Sequence, residues 1–202
     1  MIDNFEFEGA EAKLIKQGDR IIKKIRIAKT YRLEILDKKL RNFRNKREFK
    51  ILTRLYENQI NVPKPLQISN NKEEEIYFLM EYIDAKPLKY SINKELLFKS
   101  FKEIIKIHNL DITHGDLTTL NILNKNGKII IIDFGLALFS NNIEEKAVDL
   151  NLFFNCIKNE HPNLFEYKEE LCEEYIKNTN KGKEIIQRLQ EVELRGRNKN
   201  KN

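Results

Sequence analysis

The chain is poor in the features that mark secreted, disulfide-bonded and membrane-spanning proteins. Its 202 residues include two cysteines, Cys156 and Cys172, and no C-x-x-C pair, which is typical of a reduced protein. No apolar run approaches the length that spans a bilayer, and residues 1–12 are acidic, unlike a secretory signal. We therefore expect a cytoplasmic protein that makes no use of a membrane.

The residues that are present are typical of a highly charged globular protein. Hydrophobic residues make up 41% of the chain and charged residues 34%. A chain of this length fits one compact unit built from two small lobes around a cleft. The histidines do not indicate zinc, because His108 lies at helical spacing from Phe101 and Ile104 and is expected to pack in a core.

Three polar side chains, Asp116, Asn121 and Asp133, lie close together in the sequence. The residues between them predict a β-hairpin, made of strand Ile122-Leu123, turn Asn126-Gly127 and strand Ile129–Ile132. Because a hairpin returns the chain to its starting point, we expect all three side chains at one end of it. A carboxylate that orients the attacking oxygen, with an amide and a second carboxylate on Mg²⁺, is what phosphoryl transfer from ATP requires. The spacing H-x-D-x-x-x-x-N followed by D-F-G strongly indicates that chemistry.

A basic pair upstream, Lys23-Lys24, lies in a predicted strand. One of these lysines would reach nucleotide phosphates and the other would point to the opposite face, because strand residues alternate. Glu48 falls in an apolar helical stripe with Leu52 and Leu55. A carboxylate inside such a stripe is costly unless it meets a cation. We expect a Lys–Glu ion pair; a glutamate at the edge of the stripe is the alternative.

Two weaker patterns complete a nucleotide site. The small residues of Gly9-Ala10-Glu11-Ala12 would let backbone N–H groups approach phosphates, although an ordinary β-turn explains this single-glycine loop as well. The strand that ends at Ile83 would offer backbone groups of Glu81 and Ile83 to adenine. An edge strand is the alternative there.

Several segments together match a known family pattern. They are Gly9-Ala10-Glu11-Ala12, Lys29-x-Tyr31-Arg32, His114 to Thr119 with Asn121, Asp133 to Leu136, Glu145 to Leu150, His161-Pro162-Asn163 and Arg195-Gly196-Arg197. In these segments the chain resembles the atypical kinase/ATPase subunit of the KEOPS complex, the PRPK-type small kinases, from about Phe7 to Arg197. The spacing from Tyr31-Arg32 in that family places the phosphate-binding lysine at Lys24.

The resemblance implies an α+β, minimal bilobal protein-kinase-like fold. An antiparallel-sheet N-lobe would span 1–83, a hinge 84–90, a reduced and mainly helical C-lobe 91–194, and a basic tail 195–202. Asp116 would be the catalytic acid, with Asn121 and Asp133 as metal ligands. The nucleotide would be bound by Gly9, Ala10, Glu11, Ala12, Lys24, Glu48, Glu81 and Ile83.

The resemblance also implies the activity and the partners. The chain would be an ATP-dependent atypical Ser/Thr kinase with ATPase activity that uses ATP and Mg²⁺. It would work with the threonylcarbamoyl transferase subunit and other KEOPS subunits, in the formation of N6-threonylcarbamoyladenosine (t6A) in tRNA.

Some positions depart from the protein-kinase pattern. Gly115 stands where an arginine usually receives an activation-loop phosphate, and Thr118 stands where many Ser/Thr kinases have a lysine. No Ala-Pro-Glu follows D-F-G, and residues 136–202 are too few for the subdomain on which protein kinases dock peptides. We therefore expect control by a partner rather than by loop phosphorylation.

The net charge of +6 is unevenly distributed. Basic residues cluster before Glu48 and at the end of the chain: Lys38, Lys39, Arg41, Arg44, Lys46 and Arg47, then Arg195, Arg197, Lys199 and Lys201. Such clusters bind nucleic-acid phosphates, although a solvated helix face and a frayed end are the usual explanation. Because the family acts on tRNA, we favour contacts of these basic patches with the tRNA backbone.

Three other functions fit part of the pattern. A small-molecule phosphotransferase shares H-G-D-x-x-x-x-N but generally lacks D-F-G and has a larger C-lobe. A RIO-type protein kinase also lacks the subdomain on which peptides dock. It does not share the Gly-Asp-Leu-Thr-Thr segment or the Arg-Gly-Arg end. A nucleotide-binding scaffold is the non-enzyme alternative, against which the presence of all the acids weighs.

Overall fold

The computed structural model describes residues 6–9, 11–69 and 75–199. The chain divides into two compact units, Met1–Asp84 and Ala85–Asn202. None of the helices in these described ranges is both long and apolar enough to cross a membrane.

The first unit is an antiparallel sheet with one long helix. Its strands are β1 (Glu6–Glu8), β2 (Ala12–Gln17), β3 (Ile21–Arg26), β4 (Pro65–Ile68) and β5 (Tyr77–Glu81), in the spatial order β1-β2-β3-β5-β4. Helix α1 (Glu34–Glu57) follows β3 in the chain and packs against β4 and β5. The predicted antiparallel sheet of the N-terminal part is confirmed.

Strand β3 and helix α1 each bury one face that carries charge. In β3 every second residue is buried, namely Ile22, Lys24 and Arg26, as the alternation of a strand requires. Helix α1 buries Glu48 together with the apolar side chains at i+4 and i+7, the spacing of one helix face. Lys24, Arg26 and Glu48 are therefore enclosed together within the first unit.

The second unit is mainly helical. Its helices are α2 (Lys94–Asn109), α3 (Ile143–Glu160), α4 (Lys168–Asn178) and α5 (Gly182–Lys199). Its short strands are β6 (Lys86–Pro87), β7 (Ile112–Thr113), β8 (Ile122–Lys125), β9 (Lys128–Ile131) and β10 (Leu138–Phe139). They form a three-stranded sheet β6-β8-β9 and a β7–β10 pair. Aromatic rings fill the core, with the Phe101 centroid 5.6 Å from Phe154 and 6.1 Å from Tyr175.

Two of the predicted segments, the hinge and the basic tail, contain regular secondary structure. The hinge predicted over 84–90 is mostly ordered within the second unit, because Lys86 pairs with Asn124 and Pro87 with Leu123, and a 3-10 helix follows at Leu88–Tyr90. The basic tail predicted over 195–202 begins inside α5, which continues to Lys199. Within that helix the Arg195 guanidinium bonds to Glu144, with Nη1 and Oε1 2.8 Å apart.

Candidate active site

The loop between β7 and β8, residues 114–121, is fixed at its start by a buried carboxylate. Asp149 accepts the backbone N–H of His114 at 2.6 Å and that of Gly115 at 2.8 Å. Gly115 has φ +79°, and a Cβ there would lie 2.8 Å from the carbonyl oxygen of Leu136. Only glycine fits this left-handed backbone so close to the segment after D-F-G. This explains why glycine stands where the protein-kinase pattern has an arginine.

Asp149 is in turn held by a buried histidine. His108 Nε2 lies 3.2 Å from Asp149 Oδ2, and its Nδ1 lies 2.8 Å from the Tyr175 hydroxyl. Burial acts to raise the pKa of Asp149, but the hydrogen bond from His108 and the contacts with His114 outweigh it and lower that pKa below its usual value. The carboxylate therefore stays ionised, and His108 is a packed core histidine as predicted.

The loop brings Asp116 and Asn121 into direct contact. The Asn121 side-chain amide donates to the Asp116 carbonyl at 2.8 Å and to the Asp116 carboxylate at 2.9 Å. The backbone N–H of Thr118 bonds to the Asp116 carbonyl at 3.0 Å, and that of Asn121 to the Thr118 carbonyl at 3.1 Å. The predicted catalytic acid and one predicted metal ligand thus belong to a single compact turn.

The β8–β9 hairpin brings Asp133 back towards this turn. Ile122 pairs with Ile131, and the backbone N–H of Ile132 donates to the Asn121 carbonyl at 2.9 Å. Asp133 follows directly, exposed and with φ +62°. The hairpin turn, Asn126-Gly127, has φ of 53° and 84°, as a two-residue turn with both residues left-handed requires. The predicted hairpin is confirmed.

His114 ties the loop to the D-F-G segment. Its ring lies 4.8 Å from the Phe134 ring between centroids. His114 Nε2 lies 3.0 Å from the Ile132 carbonyl oxygen, and the Asp116 backbone N–H points at Nδ1 from 3.2 Å. These contacts hold the His114 ring between the start of the loop and the D-F-G segment.

The first unit contains the other predicted site residues. Lys24 Nζ lies 2.6 Å from Glu48 Oε1, and Arg26 bonds to the second oxygen, Oε2. Lys23 is on the other face, where it pairs with Glu75 and lies over the Tyr77 ring. The ion pair predicted between Lys24 and Glu48 is present, and the contact with Arg26 was not predicted. The period of two in a strand could have predicted the Arg26 contact, since residues two apart in a strand share a face.

The remaining predicted nucleotide-binding residues are not all free to bind. The Gly9 N–H donates to the Ala12 carbonyl at 3.0 Å, the Glu11 carboxylate accepts from Arg44 at 2.7 Å, and Ala10 lies outside the described residues. The Glu81 N–H donates to the Lys64 carbonyl at 2.8 Å. Ile83 follows β5 and is half-buried.

Comparisons with known proteins agree with this geometry. The family model for the RIO domain matches residues 12–150. The KEOPS complex subunit Bud32 of Pyrococcus abyssi is 37% identical, with 94% of each chain covered. A probable serine/threonine-protein kinase BUD32 homolog of Archaeoglobus fulgidus is 33% identical, over 94% of this chain and 93% of that one.

Another relative is a longer protein. The probable bifunctional tRNA threonylcarbamoyladenosine biosynthesis protein of Methanobrevibacter smithii is 36% identical over 96% of this chain, which spans only 37% of that relative. Among solved structures, the Rio2 kinase–ADP/Mg²⁺–phosphoaspartate complex of Chaetomium thermophilum has a TM-score of 0.65 and 19% identity, over 82% of this chain and 56% of that one. That likeness confirms the kinase-like fold. The RIO-type alternative and the resemblance to the KEOPS subunit are therefore compatible with each other. The chain belongs to the RIO-domain family and to the family of Bud32 proteins.

Proposed function

We propose that the chain is an ATP-dependent atypical Ser/Thr kinase with ATPase activity, in which Asp116 is the catalytic acid. The observation that carries the proposal is the turn in which Asn121 donates to the Asp116 carboxylate at 2.9 Å, with the β8–β9 hairpin returning the chain to Asp133. In phosphoryl transfer the protein acts mainly by positioning and electrostatics. Asp116 would orient the attacking hydroxyl or water.

The residues present fit Mg²⁺. Asn121 uses its amide nitrogen for both bonds to Asp116, so the amide oxygen is turned away from that carboxylate and can serve as a ligand. Asp133 would add carboxylate oxygen. In the part of the chain that the structure describes, no three His, Cys, Asp or Glu residues form a metal cluster. One or two protein oxygens are what Mg²⁺ uses when phosphates and water complete its shell. Bound there, the ion would neutralise charge on the phosphate oxygens.

The nucleotide-binding residues would act as follows. Lys24 would contact phosphates while Glu48 and Arg26 fix the position of its ammonium group. The loop at Gly9 would contribute through residues other than the Gly9 N–H, which is already bonded to Ala12. Glu81 and Ile83 would line the adenine with backbone groups.

We propose further that this activity serves the KEOPS complex and t6A formation in tRNA. The Pyrococcus abyssi relative is named as a subunit of that complex, and the Methanobrevibacter smithii relative is named for threonylcarbamoyladenosine biosynthesis. The partner would be the transferase subunit, together with other KEOPS subunits. Because both cysteines are free, we place the protein in the cytoplasm.

Contact with tRNA would fall on fewer residues than the basic clusters suggest. In α1, Arg41 pairs with Asp37 and Arg44 with Glu11, whereas Lys38, Lys39 and Lys46 are exposed. We therefore assign contacts with the tRNA phosphate backbone to these three lysines.

Replacing all three lysines by Gln should weaken tRNA binding. The slope of log K for tRNA against log salt concentration should become shallower by about 0.7–0.9 per lost contact. The matched control replaces Lys102, Lys125 and Lys128, which are exposed in the second unit, by Gln; equal losses in both variants would contradict the assignment.

The experiment that tests the enzymatic proposal compares binding with turnover. Asp116→Asn should bind Mg²⁺-ADP nearly as well as wild type, while ATP turnover falls by about 10²–10⁴-fold because the acid that orients the oxygen is lost. Asp133→Ala should lose both turnover and the Mg²⁺ dependence of nucleotide binding. Full turnover by Asp116→Asn would show that Asp116 is not the catalytic acid.

A further inference from the structure

One residue of the active-site loop is attached to the far end of α3. Thr119 is fully buried, and its hydroxyl donates to Glu160 Oε2 at 2.6 Å. Its backbone N–H lies 3.5 Å from the Cys156 sulfur, one turn earlier in α3. The Thr119 carbonyl accepts the Lys89 backbone N–H at 3.3 Å. Every polar group of this residue is therefore bonded outside its own loop.

Glu160 is a strong hydrogen-bond acceptor, although its position in the helix is electrostatically unfavourable for a carboxylate. It is the last residue of α3, where the negative end of the helix dipole repels a carboxylate. Its second oxygen, Oε1, lies 2.6 Å from Lys89 Nζ. The hydrogen bonds from Lys89 and then Thr119 lower the pKa of Glu160 from 4.5 to about 2. The carboxylate is thus ionised at any working pH, and charge-assisted hydrogen bonds of this kind are the strong ones.

The attachment at Thr119 lies within the turn that carries the proposed catalytic residues. Thr119 lies between Asp116 and Asn121, which bond to each other. Asp149 fixes the loop at His114 and Gly115, before Asp116. The bond to Glu160 attaches the loop on the other side of Asp116, where the Asn121 carbonyl also accepts the Ile132 backbone N–H. With both in place, the Asp116–Asn121 turn is held from two directions.

We propose that Glu160 is a positioning residue, which acts through Thr119 to fix the Asp116–Asn121 turn for phosphoryl transfer. This inference rests on the proposed function. Glu160 itself touches no reacting group; it determines where the catalytic acid and the neighbouring metal ligand lie. A displacement of about 1 Å in a catalytic group can cost about 10²-fold in rate.

The test uses paired substitutions in the full chain. Glu160→Ala and Thr119→Val each remove the bond and should lower kcat by about 10–100-fold, with KM for ATP changed by less than about threefold because nucleotide binding is untouched. Glu160→Gln and Thr119→Ser keep an acceptor and a hydroxyl, and should recover most of the lost kcat. The double variant Glu160→Ala/Thr119→Val should be no slower than either single variant, as expected for two halves of one interaction.

Amide hydrogen exchange supplies a readout that needs no turnover. In nucleotide-free protein, the peptide spanning residues 114–121 should exchange faster in Glu160→Ala and Thr119→Val than in wild type. Glu95→Ala is the matched control, because Glu95 also pairs with a lysine, at 2.7 Å from Lys99, but on α2. Its exchange and its kcat should equal those of wild type.

The outcomes separate this inference from the proposed function. Unchanged exchange in the loop of folded Glu160→Ala overturns the positioning role, whatever the activity. Faster exchange with a wild-type kcat also overturns it, since the bond would then serve stability alone. A wild-type protein without turnover alongside the expected exchange would count against the enzymatic proposal and leave the attachment of the loop by Glu160 supported.

Discussion

The buried group of Lys24, Glu48 and Arg26 gives the sharpest prediction about stability. All three side chains are nearly inaccessible to solvent, with residue exposures of 4%, 2% and 4%. Glu48 binds both cations through separate oxygens. Glu48→Gln therefore removes the negative charge that the two buried cations share, and breaking a buried ion pair from one side costs about 3–5 kcal/mol. For a chain of this size that corresponds to a fall of about 6–20 °C in Tm.

The two cations should behave differently from the carboxylate. Lys24→Met or Arg26→Met removes one positive charge and leaves a neutral pair, so each should stay within about 2 kcal/mol of wild type. Lys24→Met should nevertheless lose far more ATP turnover than Arg26→Met, since only Lys24 is assigned to the phosphates. Stability and activity would thus follow different orders within one cluster.

The assay is urea unfolding followed by far-UV circular dichroism, because the chain contains no Trp. Glu57→Gln is the control, as Glu57 is exposed on the same helix and its loss should change the free energy of unfolding by less than about 0.5 kcal/mol. If Glu48→Gln unfolds within about 1 kcal/mol of wild type, the carboxylate does not neutralise the buried cations and the reasoning fails.

Three further predictions concern the second unit. Gly115→Ala should lower turnover strongly, since its Cβ would lie 2.8 Å from the Leu136 carbonyl oxygen; a wild-type rate in a steady-state assay would contradict that. Burial raises the pKa of the Cys172 thiol to about 12, so mass spectrometry after iodoacetamide treatment at pH 8 should find label on Cys156 well before Cys172. The pKa of Glu160 is depressed from 4.5 to about 2, so its stabilisation is complete above pH 4.5 and lost as the pH falls towards 2. Glu160→Gln should therefore flatten the acid limb of a plot of unfolding free energy against pH.

Local patterns predicted the parts of the site that depend on near neighbours. An Asn-Gly turn between two apolar strands predicts the β8–β9 hairpin. Because Asn121 precedes the first strand and Asp133 follows the second, the hairpin places both residues at the same end. The separation of Lys23 from Lys24 follows from the period of two in a strand. These features are encoded over a few residues, so the sequence is enough to find them.

Contacts between distant segments could not be found in this way. Glu160 is the end of one helix and Thr119 part of a loop that a long stretch of chain separates from it, and no periodicity relates them. The same is true of the bond between Arg195 and Glu144, and of β6, whose pairing partner lies beyond α2. Charge counting also could not show that Arg41 and Arg44 are paired within the first unit.

The most direct test of the central claim is release of inorganic phosphate from ATP by wild type and by Asp133→Ala, each with Mg²⁺, the transferase partner and tRNA. We expect Mg²⁺-dependent release by wild type, stimulated by partner and tRNA together, and none above background by Asp133→Ala, because the carboxylate assigned to the metal is gone. Equal release by both proteins, or release by neither, would contradict the account.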